Sequence, residues 1–156
     1  MGQEIERKFL ICDDGWRARA TGTRFRQGFL STEPERTVRV RLAGAVGTLT
    51  IKGRTVGATR SEFEYEIPVH DAEFLLDNLC RRPLIEKVRY VTAVGPHTWE
   101  IDVFEGENDG LVVAEIELAT EDEPFERPAW LGDEVTDDPR YFNANLVQMP
   151  FREWGR

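Results

Sequence analysis

In six segments of this chain, charged residues fall at every second position with apolar residues between them. Glu4, Glu6 and Lys8 alternate with Ile5 and Phe9. Arg39 and Arg41 alternate with Val38, Val40 and Leu42, and Glu62, Glu64 and Glu66 with Phe63, Tyr65 and Ile67. Lys87 and Arg89 alternate with Val88 and Tyr90, Glu100 and Asp102 with Ile101 and Val103, and Glu115 and Glu117 with Ala114, Ile116 and Leu118. Alternate side chains of a β-strand share one face. A single strand of this kind is ordinarily the solvated face of a sheet. Six of them, with the signs sorted by strand, describe a sheet whose one face is ionic. The chain's three lysines, Lys8, Lys52 and Lys87, all fall in such strands, whereas arginine is used elsewhere as well. An ionic face with both signs implies a charged ligand.

The pattern predicts eight strands, at about 3–11, 23–31, 36–43, 47–54, 60–68, 86–94, 97–104 and 111–119. Gly44 to Gly47 and Gly95-Pro96 read as hairpin turns, so the sheet is mainly antiparallel. Three helices fill the gaps. One is short, around 14–20; one runs from an Asp71 cap to about Arg82, stopped by Pro83; one runs from Asp138-Pro139 to about Gln148. These helices are the candidates to cover the apolar strand face. The charged face then turns inward, and eight strands can close into a barrel that holds side chains or one small ligand. The expected fold is α+β: an eight-stranded antiparallel closed barrel, a tunnel with a charged lumen, covered outside by a few helices. No linker, repeat or composition shift divides residues 1–156, so one domain is expected.

Composition narrows the function. Net charge is −9, which repels polyanions on average, so a nucleic-acid partner is not expected. Any phosphate site must be local and enclosed. No stretch approaches a membrane span and no signal peptide is read, so neither a membrane partner nor export is expected. Cys12 and Cys80 suit reduced thiols in a cytoplasmic protein. His70 and His97 read as surface residues without a role, and the four tryptophans, Trp16, Trp99, Trp130 and Trp154, as core or cover. A homodimer through the outer sheet or helices is compatible with the sequence, although no patch argues for one.

The inward face carries six clear cations: Lys8, Arg39, Arg41, Lys52, Lys87 and Arg89. It carries seven clear carboxylates: Glu4, Glu6, Glu62, Glu64, Asp102, Glu115 and Glu117; Glu66, Glu100, Arg24, Arg26 and Arg54 add to either set. Buried charges must be paired, hydrogen-bonded or metal-bound. Clustered carboxylates without His or Cys are hard oxygen ligands, suited to Mg²⁺ or Mn²⁺. Clustered Arg and Lys suit a chain of phosphates, with Arg giving forked contacts. The combination fits metal-assisted phosphoryl transfer on a small polyphosphate.

Glu4-Ile5-Glu6-Arg7-Lys8 resembles the N-terminal Glu-x-Glu-x-Lys signature of the CYTH superfamily, the triphosphate tunnel metalloenzymes. Arg39-x-Arg41, Lys52, Glu62-x-Glu64, Lys87-x-Arg89, Asp102 and Glu115-x-Glu117 follow in matching order. The resemblance implies an eight-stranded antiparallel tunnel with an ionic lumen. Its length, the run Gln27-Gly28-Phe29-Leu30 and the short C-terminal helix look most like the small bacterial tripolyphosphatases. By that resemblance Lys8, Glu4 and Glu6 are catalytic, with Lys8 close to the scissile bond. Lys8, Arg39, Arg41, Lys52, Lys87 and Arg89 bind phosphates. Glu4, Glu6, Glu62, Glu64, Asp102, Glu115 and Glu117 supply metal-binding carboxylates for Mg²⁺ or Mn²⁺. Many relatives carry Tyr where this chain has Phe29, a phenol thought to cooperate with a lysine.

The expected reaction is hydrolysis of inorganic tripolyphosphate to pyrophosphate and phosphate. An enzyme acting on an organic triphosphate (a nucleoside or thiamine triphosphatase, or a class IV-type adenylate cyclase) is the alternative. A non-catalytic polyphosphate-binding module would have little reason to keep seven acidic groups.

Overall fold

A computed structural model describes residues 2–155 of the chain. Its nine strands are β1 (Gln3–Ile11), β2 (Thr21–Glu33), β3 (Arg36–Ala43), β4 (Val46–Lys52), β5 (Thr59–Ile67), β6 (Ile85–Val94), β7 (His97–Phe104), β8 (Val112–Glu117) and β9 (Leu131–Glu134). They are ordered β5-β4-β3-β2-β6-β7-β8-β1-β9, and β1 pairs with β5 as well. That extra pairing sets Gln3, Glu4 and Ile5 opposite Ser61, Arg60 and Thr59, and closes the first eight strands into the expected antiparallel barrel. The turns are as expected: Gly44 and Gly95 take φ of 59° and 60° between β3 and β4 and between β6 and β7, where a side chain would strain the backbone.

β9 has no counterpart in the sequence reading. Four residues, one of them Gly132, are too few for alternation to register. β9 takes over the edge of β1 that β5 leaves, with Phe9 opposite Glu134 and Ile11 opposite Leu131. In the seam between β5 and β9, Lys8 N donates to Thr136 Oγ1 at 3.0 Å. Val135 N returns a bond to Lys8 O at 2.8 Å. The backbone that carries Lys8 is therefore held on both edges.

The apolar outer face is covered in two ways. Helix α1 (Val69–Asn78) lays Ala72 and Leu76 over Val40 of β3. Gly28 lets the chain after α1 press onto β2, since a Cβ there would come within 2.7 Å of Cys80 Cβ. The second cover is not helical. Phe9, Trp99, Ile101, Ala114 and Ile116 are buried under Trp16, Trp130 and Phe125, which come from irregular chain. The expected helix at 14–20 is only a 3-10 turn, Arg17–Arg19. Broad indoles bury the sheet without needing a helical stripe to present them.

The helix limits also shift. α1 begins two residues before Asp71, with Pro68 at its N-cap, so Asp71 sits in the first turn rather than capping it. The third helix is broken at Phe142, whose extended backbone separates a 3-10 turn (Pro139–Tyr141) from α2 (Asn143–Gln148). Asp138 does cap the turn, accepting from Arg140 N. α2 does not lie on the outer face. Leu146 and Val147 pack on Phe29, Ile85, Phe104 and Val113, which by register share the strand face of Arg39, Lys87 and Asp102. The inner face is thus ionic along most of its length and apolar where α2 seats.

Trp16, Trp99 and Trp130 are buried, and Trp154 packs edge-on against Tyr141 and Phe151. His70 is exposed as expected. His97 is not: its ring is largely buried beside Phe125, with Nε2 at 2.6 Å from Glu123 Oε2. Cys12 and Cys80 are free thiols. Among the described residues no helix is long and apolar enough to cross a membrane.

Candidate active site

Antiparallel register sets the inner-face residues in cross-strand pairs. Lys8 stands opposite Glu115, and Glu6 opposite Glu117. Glu115 stands opposite Glu100 on its other side. Lys52 faces Glu62 and Thr50 faces Glu64. Gln27 faces Arg41, Phe29 faces Arg39, and Phe25 faces Lys87. Arg89 faces Asp102. Most of these side chains meet around one cavity of about 550 Å³, lined by every expected site residue except Asp102. That volume suits a small ligand.

The cations and carboxylates are interlocked. Lys8 Nζ bonds Glu6 Oε1 at 3.1 Å and also pairs with Glu115. Lys52 Nζ lies 2.7 Å from Glu4 Oε1 and 3.6 Å from Glu62 Oε2. Lys87 Nζ donates to Asp102 Oδ2 at 2.7 Å and to Asn143 Oδ1 at 2.9 Å. Arg89 reaches Asp102, Glu115 and Glu100 at 2.8, 3.3 and 3.1 Å. Arg39 donates to Thr50 Oγ1 at 3.0 Å, while its buried Nε has no partner. Arg41 Nε donates to Gln27 Oε1 at 3.1 Å, and Arg41 forms no ion pair among the described residues. Asp102 is not on the cavity wall. It is buried behind Lys87 and Arg89, and both its oxygens are taken by them.

A CYTH domain matches residues 2–148. The chain belongs to the CYTH family. It is 48% identical over 154 residues to an inorganic triphosphatase of Acetivibrio thermocellus, covering 99% of each chain. It is 36% identical over 150 residues to an inorganic triphosphatase of Nitrosomonas europaea, covering 92% of this chain and 96% of the relative. A solved structure of an inorganic triphosphatase superposes with a TM-score of 0.65 at 33% identity, covering 92% of this chain and 96% of that one. A protein from Pyrococcus horikoshii, at 17% identity and a TM-score of 0.59, covers 76% of this chain and 80% of its own, and shares the fold.

Despite the ion pairs, burial and like-charge neighbours push two sets of groups in this CYTH lumen toward their neutral forms. Burial and the neighbouring arginines push Arg41 down to about 9. Burial and Arg89 lower Arg39, and burial and Arg39 lower Lys52. Lys87 falls to about 7, because burial and the repulsion of Arg89 and Arg41 outweigh Asp102. On the acidic side, burial and Glu4 raise Glu62, burial with Glu4 and Glu6 raises Glu117, and burial with Glu115 raises Glu100 despite Arg89. Other groups are held in their charged forms by their pairs. Burial works against Glu4, yet Lys52 and Arg60 hold it at about 2. Burial would lower Lys8, but Glu115 and Glu6 keep its ammonium above the ordinary lysine range. Arg89 and Lys87 hold Asp102 well below the carboxylate range against its burial.

The acidic region suits a hard cation chemically. Glu6 opposite Glu117 and Glu100 opposite Glu115 are like-charge cross-strand pairs, which are unfavourable without a counter-ion. Among the described residues no three of these groups already close on one point. Glu6 and Glu115 are instead held by Lys8, and Glu4 by Lys52.

Several residues of the site were not singled out from sequence. Arg60, opposite Glu4 on β5, donates to it at 3.2 Å and lines the cavity. It shares the parity of Glu62 and Glu64, so the alternation contains it. Glu100 lines the cavity, whereas Arg24 and Arg26 point away to Glu105 and Asp77. Arg54 stands on the cavity wall, paired with Glu35, and Glu66 does not reach it. Thr136 and Asn143 arrive from the C-terminal segment, where no local pattern marks them.

Proposed function

We propose that this CYTH chain is a metal-dependent hydrolase of inorganic tripolyphosphate, cleaving one phosphoanhydride bond with water to give pyrophosphate and phosphate. One observation carries the reading: a single cavity gathers a cluster of cations, with Arg41 in no ion pair among the described residues, and the like-charge carboxylate pairs Glu6–Glu117 and Glu100–Glu115. A triphosphate complexed with a divalent cation supplies a counter-charge to each. The inorganic triphosphatase that is 48% identical over nearly its whole length supports the same substrate.

In this reading Arg39, Arg41, Lys52, Lys87 and Arg89 grip the phosphate oxygens, with arginine forks and lysine point charges. Lys8, fully charged between Glu6 and Glu115, stabilises charge developing at the scissile bridge. Glu6, Glu62, Glu115 and Glu117, with Glu4 and Glu64 beside them, would hold Mg²⁺ or Mn²⁺. When bound, such an ion polarises phosphate oxygens and acidifies water. Asp102 serves as the counter-ion that aims Lys87 and Arg89 rather than as a ligand. Little covalent work falls to the protein beyond alignment and charge stabilisation. The free thiols of Cys12 and Cys80 fit a reducing compartment, and we assign the enzyme to the cytoplasm.

Phosphate release from tripolyphosphate, ATP and thiamine triphosphate, each with Mg²⁺, Mn²⁺ or chelator, tests this. Fast, metal-dependent release from tripolyphosphate with slow release from the other two is the expected result. Turnover confined to an organic triphosphate would overturn the substrate, and turnover unaffected by chelator would overturn the metal.

A further inference from the structure

Phe25 is buried on the inner face of β2 but belongs to none of the three apolar clusters of the fold. Its neighbours are cations. The Arg41 guanidinium lies 4.6 Å from the ring centroid and that of Arg89 lies 5.0 Å away. Lys87 Nζ lies 5.9 Å away. The barrel's register causes this. Phe25 stands opposite Lys87 on β6 and opposite Ala43 on β3, so Arg41 and Arg89 are each two residues along on the same face. All three cations line the cavity, whereas Phe25 lies beneath them, off its wall.

Arg89 and Lys87 share the carboxylate of Asp102, whereas Arg41 stands beside them with no ion pair among the described residues and is repelled by them. An aromatic face attracts cations through its quadrupole, without taking up their N–H donors. A carboxylate at this position would neutralise Arg41 and occupy the donors that a phosphate needs, as Asp102 does for Arg89. Arg41 shows the point most clearly. Its contacts are the Phe25 face and the Gln27 carbonyl, both neutral. Gln27 is aimed in turn by its own donation to Asn143 Oδ1 at 2.6 Å.

We infer that Phe25 is a positioning residue for anion binding, a neutral π platform that holds Arg41 beside Arg89 and Lys87 with the terminal donors of Arg41 left for phosphate. This rests on the triphosphatase reading for the ligand but not on turnover, so binding is the measurement. Calorimetric titration of metal-free tripolyphosphate into the full-length protein should show about tenfold weaker binding for Phe25→Leu, and near wild-type binding for Phe25→Tyr. A sharper series replaces Phe25 with mono-, di- and trifluorophenylalanine, which retain the ring's shape while weakening its face. A stepwise rise in Kd with fluorine count is the expected result. A flat fluorine series, or equal losses in the Leu and Tyr variants, would overturn the platform. A wild-type protein that binds in this graded manner yet fails to hydrolyse tripolyphosphate would sink the proposed reaction and leave the platform standing.

Discussion

Arg89 grips Asp102 with a fork, Nε to Oδ1 at 2.8 Å and Nη2 to Oδ2 at 2.9 Å, with Asp102 buried and Arg89 partly so. Lys87 adds a third bond to the same carboxylate. Removing one partner of a buried ion pair leaves the other charge unpaired, at a cost of about 3–5 kcal/mol. Asp102→Asn should therefore lower unfolding free energy by about that amount in urea titrations. It should also raise KM for tripolyphosphate. The half-saturating Mg²⁺ concentration should stay as in the wild type, because Asp102 supports cations; a large rise would make it a metal ligand instead.

Glu62 and Glu117 should behave in the opposite way. Both are crowded by other carboxylates. Glu117→Gln removes a like-charge pair with Glu6 and should stabilise the metal-free protein by about 0.5 kcal/mol. The same change should raise the half-saturating Mg²⁺ by about tenfold or more. Thermal unfolding in chelator and activity against Mg²⁺ concentration check the two halves.

The two sets of shifted acids give the metal-free protein a stability maximum in mild acid. Glu62, Glu100 and Glu117 are raised, so the folded state binds more protons than the unfolded chain just above the ordinary carboxylate range. Stability there falls as pH rises. Glu4 is lowered to about 2, and Glu6 and Asp102 are lowered too, so their contribution is present above the unfolded value and lost as pH falls below it. For Glu4 alone that loss is on the order of 3 kcal/mol. Over the acid range, unfolding midpoints measured in chelator should peak near pH ~5. A monotonic rise from acid to neutral pH would contradict the crowding of the raised set.

Lys87 sets a basic limb on substrate capture. Its value near 7 means that the free enzyme loses this charge as pH rises through neutrality. A bound polyanion favours the charged form, so kcat/KM for tripolyphosphate should decline above that point. Lys87→Arg should move the decline to higher pH, since arginine stays charged. An unmoved limb would assign it to another group.

Lys8 and Glu4 are the residues on which turnover should depend most. Glu4→Gln and Lys8→Ala should each nearly abolish phosphate release, with far-UV circular dichroism retained. A fully active variant of either would remove that residue from the catalytic set.

Much of the site was legible because β1, β3, β5, β6, β7 and β8 alternate cleanly, and a period of two assigns every second residue to one face. β2 breaks that logic. Arg24 and Arg26 look like lumen charges, yet they face outward, and Phe25, Gln27 and Phe29 turn inward. Charged-in and apolar-out is the local rule only where the inner partner carries the opposite charge or is a ligand. Here the inner partners are cations, and a ring suits them. The seam was illegible for another reason: Thr136 meets Lys8 across 128 residues of sequence, a contact that no local pattern encodes. His97 looked exposed because its burial comes from Phe125 and Glu123 on distant irregular chain.

The closure of β1 has a consequence for biosynthesis. Lys8 and Glu115, paired in the finished barrel, are 107 residues apart. At translation rates of about 5–20 residues per second, roughly 5–20 s separate their appearance on the ribosome. Through that interval Glu4, Glu6 and Lys8 have been made but β8 has not, and the strand that bears them has no neighbour on that side. The pairs around Lys8 can therefore close only after β8 is made, and a nascent chain arrested before β8 should carry no activity, however much of its sheet has already paired.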